Sequence, residues 1–215
     1  RSSKNDEVAA KTLSISDILR SFILPTRNCR DFYLALVGRL LLMVGWSMVA
    51  TYQLYILQKY VGLSVDESGT VISTMSVISM IVLIVTSMIS GPISDRLHRR
   101  KIIVAVGSVI IAIGIAIPIM MPTALGMMLY AGVAGTGYGI YIAVDQALNV
   151  DVLPSQEEAG KDLGILNLAN TVGQVLAPVI VGGVVATSSY ATIFPIAIVC
   201  VLVGAVVIML IRKVK

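Results

Sequence analysis

The chain has 215 residues, 57% of them hydrophobic and only 13% charged, with a mean hydropathy of +0.92 and a formal net charge of +4. Soluble domains carry about a quarter charged residues, so this composition excludes a soluble fold. The basic excess is not a nucleic-acid signature either, because the cations sit between apolar blocks. Those blocks are roughly 20 residues long, enough to cross a hydrocarbon core of about 30 Å, and are apolar all round.

In chain order, residues 1–12 are polar. Over 13–24, Ile15, Ile18, Leu19, Phe22 and Ile23 fall at near-helical spacing among Lys11, Arg20, Arg27 and Arg30. This pattern suits a short helix lying on the inner leaflet, with a solvated linker as the alternative. Residues 1–30 therefore form a linker, and 31–215 a transmembrane domain. Its spans are expected near 32–57, 69–91, 102–121, 124–149, 163–186 and 192–211, an all-α polytopic fold. Turn residues separate them: Gly91-Pro92, Met121-Pro122-Thr123 and Leu153-Pro154-Ser155. Ahead of the second span, Ser64 and Glu67 have the spacing of a capping box. Cys29 and Cys200 lie in different settings and read as unpaired thiols.

Orientation follows from the basic residues of the connectors. One side collects Arg1, Lys4, Lys11, Arg20, Arg27, Arg30, Arg96, Arg99, Arg100, Lys101, Lys161, Arg212, Lys213 and Lys215; the other has Lys59. The positive-inside rule places both termini in the cytoplasm, as in a multi-pass plasma-membrane protein.

Polar residues are unevenly shared among the spans. The first carries Arg39, Trp46, Thr51, Tyr52 and Gln53; the fourth Thr136, Tyr138, Tyr141, Asp145 and Gln146; the fifth Asn167, Asn170, Thr171 and Gln174. The second has a Ser/Thr run, whereas the third and sixth are almost wholly apolar. The chain thus reads as two successive three-helix units, each ending in an apolar helix. Polar groups at membrane depth face a protein interior or a water-filled path, unless they serve only to join helices. Arg39, Tyr52, Gln53, Tyr141, Asp145, Asn170 and Gln174 are the candidates to line such a path. Arg39 and Asp145 lie at similar depth near the cytoplasmic side of equivalent helices, which suits a breakable ion pair; snorkelling of each to the interface is the alternative.

Between the second and third spans the chain reads Gly91-Pro92-Ile93-Ser94-Asp95-Arg96-Leu97-His98-Arg99-Arg100. Gly91, Asp95, Arg96, Arg99 and Arg100 resemble, position by position, the loop signature of the major facilitator superfamily, with His98 in place of its second glycine. Gly173-Gln174-Val175-Leu176-Ala177-Pro178 and Gly182-Gly183 resemble the Gly/Pro-rich fifth helix of a facilitator half. The stretches from Asp145 to Pro154 and from Gly160 to Gly164 are similar to the glycoside–pentoside–hexuronide symporter branch.

The resemblance implies a C-terminal six-helix half of a 12-helix carrier, with residues 1–30 as the central loop. The partners it implies are a small-molecule solute, a coupling H⁺ or Na⁺, the bilayer and an N-terminal half, with self-association of the isolated half a further option. It also implies alternating access. The first helix of each unit would line the cavity, the second would touch the other half, the third would face lipid, and Asp95, Arg96 and Arg100 would latch the cytoplasmic side. A secondary active transporter of a small polar solute, a sugar among the options, leads; a multidrug or other efflux carrier and a non-transporting scaffold or receptor are the alternatives. An intramembrane enzyme is disfavoured, since the one histidine, His98, is in a loop and Asp145 is the one acid well inside a span. No cofactor and no metal are expected.

Overall fold

The computed structural model describes residues 29–97, 99–153 and 159–212, apart from the Asp95 side chain. The interfacial helix expected over 13–24, and His98, lie outside these residues. Among the described residues, six helices are long and apolar enough to cross a membrane. They are α1 (Arg30–Ala50), α2 (Val65–Leu97), α3 (Arg100–Met120), α4 (Ala124–Asp151), α5 (Ala159–Thr187) and α6 (Ile193–Met209).

Several boundaries shift from the sequence reading by up to four residues, among them the starts of α2 and α5, and two spans depart from it further. The first span is not one helix. It stops at Ala50, resumes over Gln53–Ile56 and ends in a π-helical turn, Leu57–Val61. Gly62, at φ 85°, then takes the left-handed conformation that lets Leu63 N–H reach back to the Leu57 carbonyl at 3.0 Å. The second span does not end at Gly91-Pro92 but continues to Leu97 with Pro92 inside it. A proline crowds the Cβ of the residue before it; Gly91 has none, so the helix passes through. The Ser64–Glu67 capping box forms: Glu67 Oε2 accepts from Ser64 N–H at 2.9 Å, and Ser64 Oγ accepts from Glu67 N–H at 3.3 Å.

The helices pack in the order α2–α4–α3–α6–α1–α5. This is an open ring whose free edges are α2 and α5. The two three-helix units contribute equivalent contacts. α1 packs on α6 and α5, as α4 packs on α3 and α2. Glycines make both central crossings close. A Cβ on Gly137 of α4 would sit 2.5 Å from the Gly107 carbonyl of α3, and one on Gly204 of α6 would sit 2.7 Å from the Gly38 carbonyl of α1. Without a hydrophobic drive between helices in lipid, such close backbone approach supplies the packing energy. Gly173 likewise lets α5 settle against Met43 and Val44. Gly182 and Gly183 do not serve this purpose, for no atom lies within 4 Å of their would-be Cβ positions.

Burial follows this order. In the most apolar window of each helix, 61% of α1 is buried but only 6% of α2 and 22% of α5. The exposed surfaces of α3 and α6, among them Val106, Val109, Ile113, Val199, Val203 and Val206, are apolar.

Candidate functional site

α1 and α4 face each other across the bundle without close backbone approach. Long side chains fill the gap in two layers, each seven residues apart on its helix and hence separated by about 10 Å along the axis.

The ionic layer draws on three helices. Arg39 Nη2 of α1 lies 3.2 Å from Asp145 Oδ2 of α4. The Arg39 Nε–H donates to Asn170 Oδ1 at 2.8 Å and its Nη2–H to Asn167 Oδ1 at 3.1 Å, both on α5. Asn149, one turn beyond Asp145, donates its Nδ2–H to the same carboxylate oxygen at 3.0 Å. Arg39 and Asp145 are each 2% exposed. Removing two ions from water costs several kcal/mol apiece, and only mutual attraction plus further hydrogen bonds offset it. The three asparagines provide those bonds. Arg39 Nη1 and Asn149 Oδ1 are buried without a hydrogen-bond partner.

The aromatic layer stands farther from the N-terminal end of α1 and the C-terminal end of α4. Trp46 of α1 and Tyr138 of α4 stack with centroids 4.3 Å apart and planes 2° from parallel. Tyr130 backs Trp46 at 6.5 Å and Tyr141 backs Tyr138 at 6.2 Å. Tyr130 and Tyr141 are fully buried, whereas Trp46 and Tyr138 remain partly accessible.

Of the seven path candidates, Arg39, Asp145 and Asn170 meet directly, and Tyr141 lies one turn from Asp145 on the same face of α4. Tyr52 sits at the break after α1, where its hydroxyl donates to the Pro178 carbonyl of α5 at 3.4 Å. Gln53 begins the short helix after the break, half-buried, and Gln174 is exposed on α5. Trp46, Tyr138, Asn149 and Asn167 belong to the cluster but were not among the candidates; all share the helical faces of Arg39, Asp145 and Asn170.

Where α2 meets α3, the motif residues do not form one loop. Gly91 is helical, Arg96 and Arg99 are exposed, and the Asp95 side chain lies outside the described residues. Arg100, at the start of α3, donates to the Ala147 carbonyl at 2.9 Å and pairs with Asp151 at 2.8 Å, clamping the last turn of α4. A cation there also complements the negative end of the α4 dipole. Lys101 donates to the Ile211 carbonyl at 3.1 Å, just past the end of α6.

Comparison with known proteins matches residues 35–215 to the Major Facilitator Superfamily. No curated protein matches the chain in sequence. Among solved structures, the chain is similar to a mutant of the peptide transporter POT in complex with sulfate (17% identity, TM-score 0.74, covering 93% of this chain and 42% of that one). It is also similar to the POT family transporter PepTSo in its in meso crystal structure (16% identity, TM-score 0.70, 88% and 39%). The chain thus spans about two fifths of the length of those structures.

Proposed function

The chain belongs to the Major Facilitator Superfamily, and from that premise we propose that it forms the C-terminal six-helix half of a secondary active transporter. It carries a small polar solute by alternating access, driven by a gradient of H⁺ or Na⁺. The observation that carries this reading is the Arg39–Asp145 pair, buried at membrane depth and bridging two helices whose backbones do not approach closely. An ion pair so costly to bury is poorly explained as a helix fastener. As a link that opens and closes, it suits a path through which a cation and a solute pass. Tyr52, Gln53 and Gln174 extend this path away from the ionic layer.

In the same reading α2 and α5, the open edges of the ring, meet the other half, and α3 and α6 face lipid. Both ends of the chain are cytoplasmic in this reading, which the Lys and Arg distribution supports. The motif then lies on the cytoplasmic side: Arg100 holds α4 within this half, while Gly91, Asp95, Arg96 and Arg99 latch against the other.

For the solute, Asn167, Asn170, Tyr138 and Tyr141 present the amides and hydroxyls that suit a sugar. A peptide is the second reading, favoured by the fold likeness to POT and PepTSo, and its two charged termini would complement Arg39 and Asp145. Uptake by the full-length polypeptide in proteoliposomes tests both. Accumulation of a labelled hexopyranoside or dipeptide, above an ungraded control, is expected under an inward H⁺ or Na⁺ gradient. Correctly inserted protein that accumulates neither, under either gradient, would sink the proposal and favour an efflux carrier or a scaffold.

A further inference from the structure

The transporter reading uses the hydroxyls of Tyr138 and Tyr141 but leaves the rings of the aromatic layer without a role, and three features of it point to one. First, its position is that of a gate between two walls. α1 and α4 make no close backbone approach, so at this level the Trp46–Tyr138 stack at 4.3 Å joins them through side chains, with Tyr130 behind Trp46. Second, its two members are the partly accessible ones, whereas Tyr130 and Tyr141 behind them are fully buried. Two accessible rings on a rigid buried backing form a jaw rather than a core. Third, the layer is in register with the ionic layer, since Trp46 follows Arg39 and Asp145 follows Tyr138 by seven residues each. The rings therefore stand two turns, about 10 Å, from Arg39, whose buried Nη1 has no hydrogen-bond partner.

We propose that Trp46 and Tyr138 form the solute-binding jaw of this half, and that its solutes carry a ring with a flat apolar face, which stacks on these two residues in place of their stack on each other. This deepens the transporter reading and rests on it. The chemistry follows from the charge distribution of aromatic rings, which have a negative face and a positive edge. The C–H face of a pyranose and the edge or offset face of a phenyl ring both complement it. A pyranoside and an aromatic dipeptide are the two sources of such a ring, and a dipeptide of two alanines supplies none.

Trp46 is the one tryptophan of these 215 residues, so the emission of the full-length polypeptide minus that of its Trp46→Phe variant reports on the jaw. The protein is placed in lipid nanodiscs and titrated with a methyl hexopyranoside, a dipeptide of two phenylalanines and a dipeptide of two alanines. At least one ring ligand is expected to change the Trp46 emission saturably, and the alanine dipeptide to bind at least several-fold more weakly. Tyr138→Ala should weaken that ring ligand by about tenfold, within the range that ring pairing plus lost contact area supplies. Tyr138→Phe, which keeps the ring, should restore it. Which ring ligand responds identifies the source. Equal affinity of wild type and Tyr138→Ala for the ring ligands would overturn the jaw while leaving the transporter reading intact. So would tighter binding of the alanine dipeptide, or emission unmoved by all three at millimolar concentration. The transporter reading fails separately, on the absence of gradient-driven uptake.

Discussion

On α2, Ser73, Thr74 and Ser76 donate their hydroxyls to the carbonyls of Gly69, Thr70 and Ile72 at 2.9, 3.0 and 2.8 Å, each one turn back on the same helix. Across α1, α4 and α5, the polar groups of Arg39, Asn149, Asn167 and Asn170 bond to residues of other helices or to a charged partner one turn away. Both regions are polar stretches in apolar sequence, and both must satisfy their polar groups where water is scarce. A short hydroxyl does so by folding back onto its own helix. A guanidinium cannot, and its donors must find acceptors elsewhere. Side-chain reach therefore separates a helix that is merely tolerated in the membrane from helices tied into a site.

Substitutions that break this contrast should rank accordingly. The largest effect is expected from Arg39→Leu, which strands Asp145 as a buried unpaired charge and should cost about 3–5 kcal/mol in unfolding measurements in detergent. Joining it to Asp145→Leu should recover much of that loss; a double variant no more stable than Arg39→Leu would mean the two charges are not coupled. Asn170→Leu removes an acceptor from a cation and should cost about 1.5–3 kcal/mol. Gly137→Val tests the scaffold that holds the seam open, since its Cβ would meet the backbone of Gly107 and Ile111; overpacking of this kind costs about 1–3 kcal/mol. Smallest of all, Ser73→Ala, Thr74→Val and Ser76→Ala should each stay within about 0.5 kcal/mol. If these hydroxyls proved as costly as Asn170, the distinction between self-satisfied and cross-linked polar groups would fail.

The six-span fold is legible in the sequence because hydrocarbon thickness dictates the length of each apolar block. The Arg39–Asp145 contact is legible for a related reason. Two opposite charges at one depth, on helices equivalent in the repeat, have no cheaper partners than each other. Harder to read was the wider cluster. Trp46, Asn149 and Asn167 lie on the correct faces, but a helical face does not say which of its members point at a neighbour and which at an open edge. Gln174 continues the rhythm of Asn167 and Asn170 and nonetheless ends up exposed on α5. Two local features carried misleading signals. Gly91-Pro92 reads as a turn, although a glycine before a proline is the combination a helix can accommodate. The interruption at Thr51 and Tyr52 has no glycine or proline to announce it. It is held in place by contacts from afar: the Tyr52 hydroxyl on Pro178, and the Tyr60 hydroxyl on the Pro118 carbonyl at 3.1 Å. Residue 122, which would have bonded that carbonyl in a continuing helix, is a proline and has no N–H to offer.

The decisive measurement is gradient-driven solute uptake in proteoliposomes by the full-length polypeptide carrying Arg39→Gln or Asp145→Asn, at matched insertion. Each variant should lose at least about tenfold in initial rate, the factor that 1.4 kcal/mol of lost stabilisation produces. Wild-type rates in both would contradict the claim that the buried ion pair between α1 and α4 is part of the transport path.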